Sequence, residues 1–452
     1  MTPVVFISAG EASGEHYGAL LATELRKQVQ ATGQSLAIWG MGGPQMEAAG
    51  VERVVRSEDV AVMGFTEIVI HLPRIYGEYR KLKRAIRARR PDVAVLIDFP
   101  EIHFRLAKEF KRLGVPVIYF VSPQIWAWKQ HRIKLVREFV RRMLVIFPFE
   151  EGFYRERGVE AEYVGHPLAE LPLPAVSREE YAARNGLDVG KTWIGILPGS
   201  RMREIEANLP EMLEAARGVK DVSQGLKPQS NCGVDGTAKA VPFQNSGVDR
   251  APYGPEGVFR EAESVNSEGH GFEFVIPLAS TLDARQREAV VRMVERCGGG
   301  LAARLVDDAR AALFHARASV VASGTATVEA ALMGNPFVVV YRVSPLTYAI
   351  ARRVVKVPHV AMANLIAGKR VVPELIQKDF TAANIVQRIK PLLPDGPVRE
   401  SMRLELEVIR STLRAQRAGK RGQATGAIER VARIVLQTVE SGRPAAVEAS
   451  QR

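Results

Sequence analysis

Residues 91–122 read PDVAVLIDFPEIHFRLAKEFKRLGVPVIYFVS. DVAVLID is apolar between its two aspartates and short, which suits a strand buried on both faces. An amphipathic run over 102–113 follows and reads as a helix. PVIYFVS (116–122) is a second buried strand. Strand, helix, strand at this spacing is a βαβ unit, and it predicts a parallel sheet.

The same alternation extends both ways. Upstream are the strands PVVFIS (3–8) and SLAIWG (35–40), with helices over 15–28 and 73–89. Downstream come a helical stretch at 133–140, the strand RMLVIF (142–147) and a short helix at 149–157. EYVGHPLAELPLPAVSREE (162–180) breaks the pattern with proline and polar residues, which places a linker at 168–190. The pattern restarts with TWIGILPGS (192–200), a helix over 203–217 and FEFVIPL (272–278), followed by LAARLV (301–306), SVVAS (319–323) and FVVVYRV (337–343) with helices between them. The fold class is therefore α/β: two Rossmann-like, doubly wound parallel sheets facing a cleft. The domains are 1–170 and 190–380, with charged helices over 381–440. Residues 220–270 are dense in Gly, Pro, Ser and Asn and read as an insertion, either poorly ordered or a lid.

Composition narrows the function. With 452 residues and 46% hydrophobic content, the chain is globular and large enough for two cores. Its two cysteines, Cys232 and Cys297, give no disulfide framework and no metal-knuckle spacing, so a reducing compartment is expected. No apolar run is long enough to span a bilayer, and PVVFIS begins without a signal-like region, so export is not expected. Lys and Arg exceed Asp and Glu by 62 − 50 = 12. That excess suits anionic partners, but no nucleic-acid-binding motif accompanies it.

In doubly wound sheets ligands sit beyond the carboxyl ends of the strands, so chemistry is sought in those loops. After the first strand, SAGEASGEHYG (8–18) carries Gly10 and Gly14, then Glu15 and His16 at a helix start. Such a start favours anions, or is simply a glycine turn. In LIDFPEIHF (96–104), Asp98 stands at a strand end, either as a general base or as a helix cap. SPQIWAWKQHR (122–132) holds Ser122, Gln124, Trp126, Trp128, Lys129 and His131, a surface for sugar or lipid or an ordinary packed loop. In the second half, Gly199, Ser200 and Arg201 end GILPGSR, where Arg201 suits a phosphate or a local pair with Glu204 or Glu206. Ser323, Gly324, Thr325 and Thr327 open a helix, with Glu329 a turn later in reach of ribose hydroxyls; the plainer reading is a capped helix.

VAVMGFTEIVIHLP (60–73) is unusually apolar for a connection, with Met63, Phe65, Ile68, Val69 and Leu72 among its bulky members. A basic stretch, RIYGEYRKLKRAIRARR, follows. Together they suit an anionic membrane surface or an acyl-chain substrate, or else a core segment beside a solvated helix. No His/Cys cluster has metal-ligand spacing, and no G-x-S-x-G elbow appears.

Taken in order, SAGEASGEHYG, MGGPQMEAAG, VMGFTE, LIDFPEIHF, YFVSPQIWAWKQHR, FPFEEGFY, YVGHPLAE, ILPGSR, ASGTATVEAAL and MANLIAGKRVVPELIQ resemble lipid-A-disaccharide synthase. The resemblance spans most of the chain apart from the 220–270 insertion and the C-terminal tail. It implies a GT-B glycosyltransferase with no cofactor and no metal. The implied reaction joins UDP-2,3-diacylglucosamine to 2,3-diacylglucosamine 1-phosphate (lipid X). Its products are the β(1→6) disaccharide 1-phosphate and UDP, with inversion at the anomeric carbon. It further implies Asp98 as the base with Glu15 and His16 nearby, Arg201 and the 323–325 turn on the UDP, Glu329 on the ribose and Asn364 near the nucleotide. A peripheral place on the cytoplasmic face of the inner membrane, and a homodimer exchanging segments after residue 381, complete the expectation. Another UDP-sugar enzyme of the same architecture, a peptidoglycan-type transferase or a UDP-N-acetylglucosamine 2-epimerase, is the alternative.

Overall fold

The computed structural model describes residues 2–60, 65–224, 271–279, 281–355, 357–414 and 426–442. Two wholly parallel sheets form its frame. The first contains β1 (Val4–Ala9), β2 (Ala37–Gly42), β3 (Glu52–Arg56), β4 (Val93–Ile97), β5 (Val117–Phe120), β6 (Arg142–Val145) and β7 (Ala161–Tyr163), in the order β3-β2-β1-β4-β5-β6-β7. The second contains β8 (Thr192–Leu197), β9 (Phe272–Pro277), β10 (Ala303–Val306), β11 (Ala318–Ala322), β12 (Phe337–Tyr341) and β13 (Glu374–Ile376), in the order β10-β9-β8-β11-β12-β13. Each is a doubly wound sheet whose strand order reverses once: between β1 and β4 in the first lobe, and between β8 and β11 in the second.

The apolar alternation along the strands explains the layers. On β1, Phe6 faces a core with Trp39, Leu96, Phe110 and Tyr119. Its neighbours Val5 and Ile7 face the other core, with Leu21, Leu25, Val95 and Phe120. Full burial of such a side chain contributes about 1.5–3 kcal/mol, so both faces must stay covered by helices.

Several boundaries differ from the sequence reading. The helix expected from 73 runs over Phe65–Arg89, with Pro73 inside it. The apolar 65–72 run is thus helical backbone rather than a connection; Met63 lies outside the described residues. The 168–190 linker contains the helix Arg178–Asn185, started by a Ser177–Glu180 capping box. Its Tyr181 and Ala182 pack with Trp193 of β8. Eight residues close behind Pro172 and Pro174 carry too little periodicity to be seen in sequence. The strands β3, β7 and β13 went unread for a related reason: they are short, and much of their length is only half-buried. The helix Met202–Gln224 reaches the insertion, whose residues 225–270 lie outside the described residues.

After β13 the chain forms the helix Pro397–Leu413 on the second lobe and then returns to the first. The helix Ala427–Gly442 packs against Ala12–Gln30. Gln28 Nε2 donates to the Glu429 carbonyl at 3.2 Å, and Arg430 donates to the Tyr163 and Val164 carbonyls.

Candidate active site

Four loops meet at the two reversal points: 10–14 after β1, 98–99 after β4, 198–201 after β8 and 323–325 after β11. A doubly wound sheet gathers ligand groups there.

The 98–99 turn is the most constrained. Asp98 and Phe99 are both left-handed, with φ of +50° and +51°. Consecutive left-handed residues with full side chains store backbone strain, which persists only when the surroundings enforce it. Pro100 follows as the first residue of the helix Pro100–Arg112. The Phe99 ring lies across Gly10, where a Cβ would meet it at 2.3 Å. Only glycine lets the β1 loop approach this turn so closely.

Asp98 is half-buried. Burial, then the Glu11 carboxylate, lift its carboxyl to about 7; the Phe99 amide opposes this and Glu101 adds to it. Glu101 itself is drawn toward Lys129 and Arg132, at 3.2 and 3.0 Å.

Glu15 and His16 face a neighbouring loop. Glu15 accepts from the Gln45 amide at 2.7 Å, and His16 Nδ1 lies 3.1 Å from Gln45 Oε1. The next residue, Tyr17, is buried between the lobes, where burial first, then Glu329 and Asp98, hold its hydroxyl protonated.

Across the cleft, Arg201 reaches Glu11 of the first lobe at 3.6 Å and Glu204 of its own helix at 3.7 Å. Glu204 also takes the amides of Ser200 (3.0 Å) and Arg201 (3.4 Å). Gly199, at φ +129°, makes room for it, since a Cβ would strike Glu204 at 2.6 Å. Glu204 thus takes two amides of the expected cradle, those of Ser200 and Arg201, beside the Arg201 guanidinium.

The 323–325 turn is more open. No side chain caps the helix Thr325–Leu332, and the space at Gly324 is empty to 4 Å. Thr327 turns its hydroxyl back to the Gly324 carbonyl at 2.8 Å. Ser323 points its hydroxyl toward the Val360 carbonyl, at 3.5 Å. Glu329 is half-buried; burial raises its carboxyl, against the pull of Arg310.

Asn364 is fully buried and saturated. Its amide donates to the Val372 carbonyl and Glu374 Oε1, at 2.9 and 2.8 Å, and its oxygen accepts from the Val371 and Val372 amides. With Glu374, which also takes the Val360 and Ala361 amides, it shapes the 357–376 loop. These bonds use every donor and acceptor position of the Asn364 amide.

The two tryptophans of 122–132 divide. Trp126 is buried and donates to Glu150 at 3.0 Å, whereas Trp128 is 46% exposed with Lys129 Nζ 3.8 Å above its ring. Phe65, Ile68, Val69 and Leu72 lie in the first turns of Phe65–Arg89. Further along, Lys83 and Arg87 pair with Glu109, and Arg89 with Glu52, so part of the basic stretch is neutralised. Among the described residues no helix is long and apolar enough to cross a membrane, and no cluster of three His, Cys, Asp or Glu could hold a metal ion.

Residues that sequence reasoning passed over are Glu11, Tyr17, His103 and Tyr119. Glu11 and His103 sit inside quoted motifs, but only the fold shows that they meet Arg201 and Asp98.

Comparison with known proteins settles the family. The family model for lipid-A-disaccharide synthetase matches residues 5–231 and 256–428. The chain belongs to the lipid-A-disaccharide synthase family. It is 53% identical to the lipid-A-disaccharide synthase of Acidobacterium capsulatum, over 91% of this chain and 92% of that one. It is 45% identical to that of Koribacter versatilis, over 96% and 98%. Solved structures share the fold at low identity. The calicheamicin glycosyltransferase CalG4 superposes with a TM-score of 0.54 at 15% identity, covering 98% of this chain and 100% of that one. The UDP-GlcNAc 2-epimerase of Neisseria meningitidis superposes with a TM-score of 0.52 at 10% identity, over 98% and 100%. As a lipid-A-disaccharide synthase family member of the GT-B fold, the chain is a glycosyltransferase of lipid A biosynthesis, not an epimerase.

Proposed function

We propose that this enzyme joins UDP-2,3-diacylglucosamine to 2,3-diacylglucosamine 1-phosphate by an inverting displacement, giving the β(1→6) disaccharide 1-phosphate and UDP. The observation that carries the reading is Asp98: a carboxylate at the β4 reversal point, with its acidity near neutral and Arg201 on the facing lobe. A base titrating near the working pH combines a useful ionised fraction with a useful proton affinity.

In this mechanism Asp98 accepts the proton of the acceptor's 6-hydroxyl. That oxygen bonds to the anomeric carbon from the face opposite the UDP. The bond from the anomeric carbon to the phosphate oxygen breaks, and its electron pair leaves on UDP. The diphosphate lies at the uncapped start of Thr325–Leu332, beneath Arg201, whose charge offsets the growing negative charge. Arg201 leaves Glu11 to do so. Glu329, a turn into that helix, holds the ribose hydroxyls. Glu15 and His16 act by fixing the 43–45 loop beside the acceptor.

The 60–72 segment and the basic helix surface hold the enzyme on the anionic inner face of the inner membrane, where both lipid substrates reside. A homodimer would place the packing of Ala427–Gly442 on Ala12–Gln30 between two chains instead of within one.

The test is a product assay with the two defined lipids in detergent, read by mass spectrometry. The expected outcome is UDP and the disaccharide 1-phosphate in equal amounts. UDP without disaccharide, or disaccharide formed at the wild-type rate by Asp98→Asn, would overturn the reading.

A further inference from the structure

The strained Asp98–Phe99 turn is gripped at one atom. The Asp98 carbonyl oxygen accepts two hydrogen bonds, from the Tyr119 hydroxyl and from His103 Nδ1, each at 2.6 Å. Both donors are completely buried. They come from different elements, Tyr119 from β5 and His103 from the first turn of Pro100–Arg112.

The chain of bonds fixes the histidine tautomer. A carbonyl only accepts, so Nδ1 carries the proton. Burial pushes the ring down to about 4, so the imidazole is neutral and Nε2 holds a lone pair. Nε2 lies 2.8 Å from the hydroxyl of Ser8 on β1, which therefore donates. Three elements around β4 thus converge on one peptide group: β1 through Ser8, β5 through Tyr119 and the following helix through His103.

That peptide group also faces the catalytic carboxylate. Its N–H is the Phe99 amide, which hydrogen-bonds the Asp98 side chain. A left-handed pair would relax by rotating this peptide plane. Rotation would carry the Phe99 N–H away and let the carboxylate swing toward solvent. We propose that His103 and Tyr119 are positioning residues for the glycosyl transfer, locking the Asp98–Phe99 peptide so that the Asp98 carboxylate stays aimed into the cleft. The inference rests on the reading of Asp98 as the base.

The charged and titratable groups around Asp98 are Glu11 from the β1 loop, Glu101 from its own helix, Tyr17 from Ala12–Gln30 and Tyr119 from β5. None of them changes in Tyr119→Phe except the hydroxyl itself. Loss of the lock therefore has its own signature: the Phe99 amide bond is lost, but burial is the larger influence, so the carboxylate that gains water returns toward the acidity of an ordinary aspartate.

The experiment compares full-length Asp98→Asn, Tyr119→Phe, His103→Leu and His103→Asn with wild type, using the two lipid substrates in detergent. It reads kcat, donor KM, UDP affinity and the acid limb of the pH profile. Misplacing a reacting group by about 1 Å costs roughly 10²-fold in rate. We expect kcat to fall about tenfold in Tyr119→Phe and about 10²-fold in His103→Leu. Donor KM and UDP affinity should stay near wild type, and the acid limb should move to lower pH. His103→Asn, whose amide can replace the Nδ1 donor, should recover most of the rate. Unchanged kcat and acid limb in Tyr119→Phe would overturn the inference. So would a loss of kcat matched by loss of UDP affinity and unrelieved by His103→Asn, the mark of a purely structural role. If His103→Leu does not fold, Tyr119→Phe decides alone. Wild-type turnover by Asp98→Asn would sink the parent reading. An inactive Asp98→Asn beside a normal Tyr119→Phe would sink only the lock.

Discussion

Replacing Asp98 with Asn should make the enzyme slower and, above neutral pH, more stable. Asp98 titrates at about 7 in the folded protein against an ordinary 3.8. The folded state therefore binds more protons than the unfolded state between those values, and stability falls as pH rises through that window. The gap of about three pH units corresponds to about 4 kcal/mol at roughly 1.36 kcal/mol per unit. Because Asp98 retains access to water, about 2–4 kcal/mol is the range to expect. Asn has nearly the same shape and no charge, so it escapes this cost. Urea unfolding of both proteins at pH 5 and pH 8 measures it: the variant's advantage should be less than half its full value at pH 5 and near that full value at pH 8. Turnover should meanwhile drop about 10²–10⁴-fold, the usual contribution of a general base. An advantage that does not grow with pH would refute the argument that burial and Glu11 raise Asp98.

Arg201→Ala should weaken UDP binding by about 1.5–3 kcal/mol, read by calorimetry, as expected for a lost charged hydrogen bond. Gly10→Ala should displace the Phe99 ring and cut kcat about tenfold or more, with a circular dichroism spectrum like the wild type's. Asn364→Ala should lower stability by about 3 kcal/mol or more in urea unfolding, because it strands buried amides at 371 and 372; the variant at working temperature should bind UDP normally. Replacing Phe65, Ile68 and Leu72 together with Ser should move the protein from the membrane to the supernatant on centrifugation, and unchanged partitioning would reject that surface.

Much of this architecture was legible in the chain. Buried parallel strands such as VAVLI and VIYF carry their signal in one unbroken apolar run, and the loops that follow them mark the site. What was not legible depends on partners distant in sequence. Nothing in GILPGSR says that Glu204 will turn back onto the Ser200 amide, because a capping carboxylate and a phosphate ask for the same donors. Asn364 drew notice only through the family resemblance, and the four bonds by which it shapes its own loop join residues up to ten positions away. His103 follows Asp98 by five residues, yet its role needs Tyr119 from the next strand and Ser8 from the first. Pro73 read as a helix start because proline is common there, while the helix in fact begins eight residues earlier.

The return of Ala427–Gly442 to the first lobe means that the polypeptide crosses from one half of the molecule to the other twice, once before β8 and once after Leu413. Two covalent straps restrict relative motion more than one does. Rotation about the line through both crossings stays easy, while twisting about other axes stretches one strap or the other. Any widening of the crevice should therefore follow a single bending coordinate.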